Sequence, residues 1–120
     1  MEKKVLVVDD DMMNLRVTKM ILEKDYNVTF AESGQEALDA LKEQEFDLIL
    51  LDIAMPFMNG IETFERMKQR HIETPVIFLT ASGEEDDVMA AIRLGAVNYL
   101  KKPFLPKELL ERVAKEFEVK

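Results

Sequence analysis

Acidic residues follow two short apolar runs of the sequence, at the points where those runs end. Asp9 and Asp10 come directly after the run at 5–8, and Asp52 comes directly after the run at 48–51. If both runs are neighbouring parallel strands, their carboxyl ends lie at one edge of the sheet and the three carboxylates become neighbours. Two like charges about 4 Å apart repel each other by roughly 4 kcal/mol at an effective dielectric constant near 20. A hard divalent cation removes this repulsion, and carboxylate and water oxygens are the ligands that Mg²⁺ prefers, so we predict a magnesium site here.

A threonine and two lysines end two further runs and would face the same edge. Thr80 follows the run at 76–79, and a weaker run ends at Lys101 and Lys102. Successive side chains on a strand point to opposite faces, so only one of the two lysines can reach the carboxylates. A simpler interpretation is that the acidic residues cap helices, and we expect this of Asp11. Two acidic strand ends that face a lysine and a hydroxyl group favour a functional site.

Five strands must bring these residues to a common edge. The three continuous apolar runs are typical of strands that are buried on both faces of a parallel sheet. The runs at 28–31 and 98–101 are weaker and are typical of edge strands. Helical patterns separate all five, and this alternation predicts an α/β fold with a doubly wound, five-stranded parallel sheet and helices on both of its faces.

The helical segments carry capping residues and one-sided apolar patterns. The capping signals are Ser33 with Glu36, Asn59 with Glu62, Ser82 with Glu85, Pro106 at a first helical position, and Gly95 directly after a helix. We expect the first helix to cover residues 13–24, and Val88, Ala91 and Ile92 to share the buried face of the fourth helix.

Length and composition restrict the function. The chain has 120 residues, which suits a single domain over residues 1–120. Its 16 Lys and Arg against 24 Asp and Glu give a net charge of −8, which repels a phosphate backbone and argues against direct nucleic-acid binding. The absence of cysteine excludes disulfides and thiolate metal sites. No apolar run approaches the roughly 20 residues that span a bilayer and no secretory signal is present, so we expect a soluble, cytoplasmic protein without membrane contact.

Four segments of the sequence resemble the receiver domain of two-component response regulators, the family that includes the single-domain chemotaxis regulator. The segments are Val-Val-Asp9-Asp10, Leu-Leu-Asp52-Ile-Ala-Met-Pro-Phe-Met-Asn59-Gly60, Thr80-Ala81 and Tyr99-Leu-Lys-Lys102-Pro103-Phe. They occur in order at suitable spacing, and the resemblance extends from Lys3 to about Phe117. It implies a flavodoxin-like fold of five βα units with the strand order 2-1-3-4-5.

The resemblance implies a role for each acidic residue at the edge. Asp52 is the nucleophile and accepts a phosphoryl group from a phosphohistidine on a sensor histidine kinase or a histidine phosphotransfer protein. Asp10 and Asp52 bind Mg²⁺ directly, together with the backbone carbonyl of Ala54, and Asp9 reaches the ion through water. A carboxylate can form such an acyl phosphate. The protein is then a signalling phosphoacceptor and not an enzyme.

The remaining implied residues form a switch. Lys102, which the family pattern selects over Lys101, pairs with the phosphoryl oxygens and is positioned by a cis bond to Pro103. Thr80 donates a hydrogen bond to the phosphoryl group, and Tyr99 then turns inward. This change alters the face formed by the fourth helix, the fifth strand and the fifth helix, which binds an unidentified output protein or domain or supports a phosphorylation-dependent dimer.

Three other classes of protein share part of this pattern. A phosphatase of the haloacid dehalogenase type carries a second acid two residues after its nucleophile, where this chain has Ala54. A flavodoxin-like cofactor binder needs a hydroxyl- and glycine-rich loop after the first strand, where the aspartates would repel a flavin phosphate. A degenerate receiver that acts only as an interaction module is disfavoured by the complete set of Asp10, Asp52, Thr80 and Lys102.

Overall fold

Five strands and five helices alternate along the chain in the computed structural model, which describes residues 2–81 and 85–118. The elements are β1 (Lys3–Val8), α1 (Met12–Leu22), β2 (Tyr26–Ala31), α2 (Gly34–Glu43), β3 (Leu48–Asp52), α3 (Gly60–Gln69), β4 (Val76–Thr80), α4 (Glu85–Leu94), β5 (Asn98–Lys101) and α5 (Pro106–Glu116). The predicted alternation of strand and helix is confirmed. Within the described ranges, no helix has the length and apolar character that crossing a bilayer requires.

The strands form one parallel sheet in the order β2-β1-β3-β4-β5, which confirms the predicted order 2-1-3-4-5. The two weak runs form β2 and β5 and lie at the edges, as expected. The strand order reverses at β1, which pairs with β2 on one side and with β3 on the other. In sheets of this kind the crevice for a ligand lies outside the carboxyl ends of the strands at that reversal.

Helices cover both faces of the sheet and enclose two apolar layers. Contacts between α2 and α3 and between α3 and α4 define one face, and contacts between α1 and α5 define the other. One layer contains Phe64 and Phe78, whose rings meet edge to face with centroids 5.4 Å apart. The other contains Leu15, Leu109 and Val113. Because both faces are covered, every residue of β3 and β4 is buried.

Side chains at the helix ends explain where most helices begin. Ser33 accepts a hydrogen bond from the backbone N–H of Glu36, and Asn59 and Glu62 form a reciprocal capping box. Pro106 is the first residue of α5. Gly95 has a φ of 107°, the left-handed conformation that ends α4. The predicted cap Ser82 lies outside the described residues.

Two details differ from expectation. Helix α1 covers Met12–Leu22 and not 13–24, because Asp11 caps it one residue earlier and Glu23 already closes its last turn. Ile92, expected on the buried face of α4, is 43% exposed. Val88 and Ala91 pack into the core, whereas Ile92 lies beside Tyr99 of β5. A four-residue edge strand gives this flank of α4 little cover.

Candidate functional site

Three carboxylates meet at the carboxyl ends of β1 and β3. Val8 and Leu51, the residues before Asp9 and Asp52, are partners in the parallel ladder, so the two aspartates leave the sheet side by side. One carboxylate oxygen from each of Asp9, Asp10 and Asp52 lies within 4.8 Å of the others. Asp9 and Asp52 are buried, whereas Asp10 is exposed. This donor set, with hard oxygen atoms and one side open to water, suits Mg²⁺, which retains several waters.

Lys102 makes ion pairs with both buried carboxylates. Its Nζ atom lies 3.0 Å from Oδ2 of Asp9 and 3.2 Å from Oδ1 of Asp52. The residue follows the last residue of β5, and its backbone N–H donates to the carbonyl of Thr80 at 2.7 Å. The bond to Pro103 is cis. Lys101 is exposed on β5, so the structure brings Lys102, and not its neighbour, to the carboxylates.

Asp9 is held in place through both carboxylate oxygens. Oδ2 accepts from Lys102, and Oδ1 accepts from the backbone N–H of Asp11 at 3.0 Å. The side chain of Asp11 instead accepts from the backbone N–H of Met13 at 2.9 Å. Asp11 is therefore the N-cap of α1, as expected, and its carboxylate accepts a hydrogen bond from the first turn of that helix.

The loop after β3 closes directly on the phosphoacceptor candidate. The backbone N–H of Gly60 donates to the carbonyl of Ile53 at 2.8 Å. A Cβ atom at position 60 would lie 2.2 Å from the carbonyl oxygen of Asp52. Only glycine therefore allows α3 to begin this close to the strand. Ala54 lies exposed at the start of the same loop, and its role as a carbonyl ligand stays a prediction.

Burial and charge shift the pKa values of two groups in the site. The pKa of Asp52 is raised from 3.8 to about 6, first because burial disfavours its charged form. Lys102 acts in the opposite direction, while the carboxylates of Asp9 and Asp10 raise the pKa further. For Lys102, burial disfavours the charge, but Asp52 and Asp9 outweigh it and raise the pKa. The negative charge on Asp52 is thus only partly compensated by the protein.

Thr80 and Tyr99 both line one small cavity. Thr80 ends β4 and is buried, with its hydroxyl donating to the carbonyl of Ala81 at 3.2 Å. The ring of Tyr99 on β5 is 44% exposed. Both residues line a cavity of about 250 Å³, together with Val88, Met89 and Ile92 of α4. The space that an inward turn of the ring would need is therefore present beside the threonine.

Two features of the structure were missed by sequence reasoning. A cavity of about 420 Å³ adjoins Asp9 and Lys102 and is lined by Asn14 and Thr18 of α1 among others. Thr18, a buried polar residue of α1, lies one turn after Asn14 on the same side of the helix. Arg112 of α5 donates to Oδ1 of Asn98 at 3.2 Å and to the carbonyl of Tyr99, which ties α5 to the fifth strand.

Comparisons with known proteins agree with this geometry. Residues 5–114 match the family model of the response regulator receiver domain. The chain is 46% identical over 111 residues to the transcriptional regulatory protein CpxR of Escherichia coli (strain K12), covering 92% of this chain and 47% of that protein. It is 40% identical over 114 residues to the alkaline phosphatase synthesis transcriptional regulatory protein PhoP of Bacillus subtilis (strain 168), covering 94% and 48%.

Solved structures show the same likeness. A CheY-like response regulator receiver domain protein from Methanospirillum hungatei superposes with a TM-score of 0.90 at 32% identity, covering 97% of this chain and 94% of that one. The chain spans about half the length of the curated relatives it matches. The range matched by the family model, residues 5–114, contains the two acidic strand ends, the threonine and the lysine described above. The chain therefore belongs to the receiver-domain family of two-component response regulators.

Proposed function

We propose that Asp52 accepts a phosphoryl group from a phosphohistidine on a sensor histidine kinase or a histidine phosphotransfer protein. The observation that carries this proposal is the position of Lys102, whose Nζ lies within 3.2 Å of both Asp9 and Asp52. A lysine held there can pair with the carboxylate before the transfer and with the phosphoryl oxygens after it. On this proposal residues 1–120 are one receiver domain that acts as a signalling phosphoacceptor and not as an enzyme.

The transfer requires positioning and charge neutralisation more than acid or base catalysis. A carboxylate oxygen of Asp52 forms a bond to phosphorus while the bond from phosphorus to the imidazole nitrogen breaks. The electron pair of the broken bond stays on that nitrogen, which takes up a proton. Lys102 stabilises the negative charge on the equatorial oxygens, and Asp9 orients the ammonium group through the 3.0 Å ion pair.

Asp9, Asp10 and Asp52 would hold Mg²⁺, with the carbonyl of Ala54 as a further ligand. The three carboxylates are close enough to share one ion, and a negative charge excess at the site favours cation binding. Bound Mg²⁺ supplies positive charge to the phosphoryl oxygens. Asp10 is exposed, so the cation and the donor can enter from its side.

Phosphorylation of Asp52 would change the positions of the Thr80 and Tyr99 side chains. The added oxygens can accept a hydrogen bond from Thr80, and the cavity of about 250 Å³ that both residues line can receive the ring. The face formed by α4, β5 and α5 would then bind an output protein or domain or a second copy of the chain. The shift is limited by the difference in affinity of the phosphoryl group for the two states.

The net charge of the domain restricts which other partners it can bind. A net charge of −8 repels a phosphate backbone. We infer that this domain does not itself contact nucleic acid, although CpxR and PhoP are named transcriptional regulatory proteins. In a longer protein, such contact would belong to residues outside this chain.

Beryllofluoride with Mg²⁺ imitates the phosphoryl group and tests both site and switch. We expect NMR shifts at Asp52 and at Tyr99 in the wild type and neither in Asp52→Asn. Asp11→Asn is the matched control, because asparagine is an equally good N-cap and Asp11 lies outside the carboxylate cluster. It should respond like the wild type. Equal responses from wild type and Asp52→Asn would contradict the proposal.

A further inference from the structure

The cavity of about 420 Å³ beside the carboxylates has a mixed lining. The residues that line it include the apolar Val17, Leu79 and Phe104 and the charged Asp9 and Lys102. We call it the α1 cavity, because Val17 lies on that helix. Sites for small organic molecules are typically concave, mostly apolar, and equipped with a few polar groups that orient the ligand. The α1 cavity has the size and the lining of such a site.

Thr18 brings an unpaired hydroxyl group to the α1 cavity. The residue is 4% exposed, and the described residues supply no hydrogen-bond partner for its hydroxyl. In the described ranges every side-chain nitrogen or oxygen that is fully enclosed does have a partner, so the Thr18 oxygen keeps its small exposure toward the cavity that the residue lines. A hydroxyl without a partner in apolar surroundings is unfavourable. A ligand that offers a hydrogen bond there is therefore favoured.

The charges next to the α1 cavity select a cationic ligand. Asp9 lines the cavity, and one of its carboxylate oxygens lies within 4.8 Å of oxygens of Asp10 and Asp52. The ammonium group of Lys102 already pairs with Asp9 at 3.0 Å and with Asp52 at 3.2 Å. Three carboxylates against one ammonium group leave this region negative. It repels an organic anion and attracts an organic cation.

We propose that the α1 cavity binds a small amphiphilic amine. The ring of the amine packs among the apolar side chains of the lining, and its ammonium group pairs with Asp9 and donates a hydrogen bond to the hydroxyl of Thr18. Asn14, which is exposed and also lines the cavity, offers an amide that can donate or accept. The site needs the charge of the carboxylates and not the phosphorylation of Asp52.

An amine in the α1 cavity would oppose binding of Mg²⁺. Both cations are attracted by the same carboxylates and repel each other, so each lowers the affinity of the other, and linkage makes the two factors equal. The amine would thereby slow any step that requires the metal. This regulatory consequence rests on the proposed function, whereas the binding site itself does not.

Tryptamine is the probe, and indole-3-acetate is its matched control, because the two share a ring and differ in the charge of the chain. In an NMR titration of the full chain in EDTA, we expect tryptamine to bind with a Kd below about 1 mM and to shift the amides of Val17 and Thr18. Indole-3-acetate should bind at least about tenfold more weakly. Saturating Mg²⁺ should weaken tryptamine binding about fivefold, and tryptamine should weaken Mg²⁺ binding by the same factor.

Two variants locate the probe in the α1 cavity. Thr18→Val removes the hydroxyl at nearly constant shape and should weaken tryptamine binding about fivefold, the loss of one hydrogen bond. Its free energy of unfolding should not fall, because the hydroxyl has no partner to lose. Val17→Phe, at a position 46% exposed, should fill the cavity and weaken binding at least about tenfold. Met20→Phe adds a ring on the same helix outside the lining and should bind like the wild type.

Each contrary result overturns the inference. An unchanged wild-type spectrum with tryptamine would leave the α1 cavity to solvent, and equal binding of indole-3-acetate would refute the selection by charge. Wild-type binding by Val17→Phe would place tryptamine elsewhere. Equal Mg²⁺ affinity with and without tryptamine would contradict an ammonium group beside Asp9. Labelling of Asp52 by acetyl phosphate tests the proposed function separately, so failure of one proposal is distinguishable from failure of the other.

Discussion

The apolar layers and the carboxyl edge of the sheet differ although the same strands build both. Val8 and Leu51 are fully buried in the layers, and the next residues, Asp9 and Asp52, are buried at the edge. Burial of an apolar side chain lowers the free energy of the folded state by roughly 1.5–3 kcal/mol. Burial of a carboxylate raises it unless the charge is paired. One step along a strand thus separates the part that stabilises the fold from the part that performs chemistry.

The negative charge at the carboxyl edge is only partly compensated. Lys102 pairs with two carboxylates, and Asp10 adds a third negative charge nearby. Among the described residues, every buried side-chain nitrogen or oxygen still has a hydrogen-bond partner. The buried polar atoms of the site are therefore hydrogen-bonded, but the site is short of positive charge, which suits a place where a cation and then a phosphoryl group bind. Four changes test this contrast.

Leu50→Ala should have the largest effect and should act on the layers alone. Leu50 is fully buried in the layer under α1 and α5, so its truncation leaves a cavity and should lower the free energy of unfolding by about 2–5 kcal/mol. Urea denaturation followed by circular dichroism measures this. Met20→Ala, at a position 70% exposed, should change little. A small loss for Leu50→Ala would mean that the layers are not the source of stability.

Ionisation of Asp52 at the carboxyl edge should make the free energy of unfolding depend on pH. Its pKa is about 6 in the folded chain against 3.8 ordinarily, so the folded state holds the proton more tightly. The proton on Asp52 therefore adds to the free energy of unfolding. This stabilisation is fully present below pH 3.8 and is lost as the pH rises through about 6, a loss of about 3 kcal/mol. In EDTA, Asp52→Asn should therefore gain stability relative to the wild type between about pH 4 and 7.

Paired urea titrations of wild type and Asp52→Asn at the two pH values give the difference directly. Asp11→Asn, which removes a charge outside the cluster, should show no comparable gain. If the difference in the free energy of unfolding between wild type and Asp52→Asn were the same at both pH values, the account of an undercompensated carboxylate would be contradicted. Mg²⁺ should reduce the gain, because the cation stabilises the charged form of Asp52.

Lys102→Ala should separate chemistry from folding. Loss of one positioned electrostatic group commonly lowers a rate by about 100-fold or more, which is about 2.7 kcal/mol. We expect labelling of Asp52 by acetyl phosphate to slow by that order. Lys101→Ala removes the neighbouring exposed lysine and should leave the rate unchanged. Equal rates for Lys102→Ala and wild type would assign the ion pairs a purely structural role.

Thr80→Ala should have the smallest effect on labelling and a clear effect on the switch. The hydroxyl of Thr80 carries no charge that could neutralise the phosphoryl oxygens, so phosphorylation of Asp52 should stay nearly intact. The resonance of Tyr99 should no longer respond to beryllofluoride, because the hydroxyl that follows the phosphoryl group is gone. An undiminished response at Tyr99 would show that the ring moves without the threonine.

Much of the fold could be predicted from local patterns. Short runs of branched apolar residues indicate strands buried on both faces, because β-branched side chains suit an extended backbone and helices cover both faces of a parallel sheet. The capping residues Ser33 and Asn59 mark helix starts since their side chains satisfy free backbone N–H groups. The sheet edge then follows from parallel pairing. Asp9, Asp10, Asp52 and Lys102 come together as predicted, while their roles stay predictions.

Other features depend on tertiary context that the sequence does not display. The exposure of Ile92 depends on how little cover β5 gives to α4, and the burial of Asp9 against the exposure of Asp10 depends on which one faces Lys102. The positive φ of Phe57 contradicts local preference altogether. Such conflicts persist when the surrounding structure holds them, and they occur most often near functional sites.

Intact-mass measurement after incubation with acetyl phosphate and Mg²⁺ tests the central claim most directly. The account predicts that the wild-type chain gains the mass of one phosphoryl group, that Asp11→Asn gains the same, and that Asp52→Asn gains none. EDTA should suppress the gain in every case. An unaltered wild-type mass, or a phosphoryl group on Asp52→Asn, would contradict the claim that Asp52 is the phosphoacceptor.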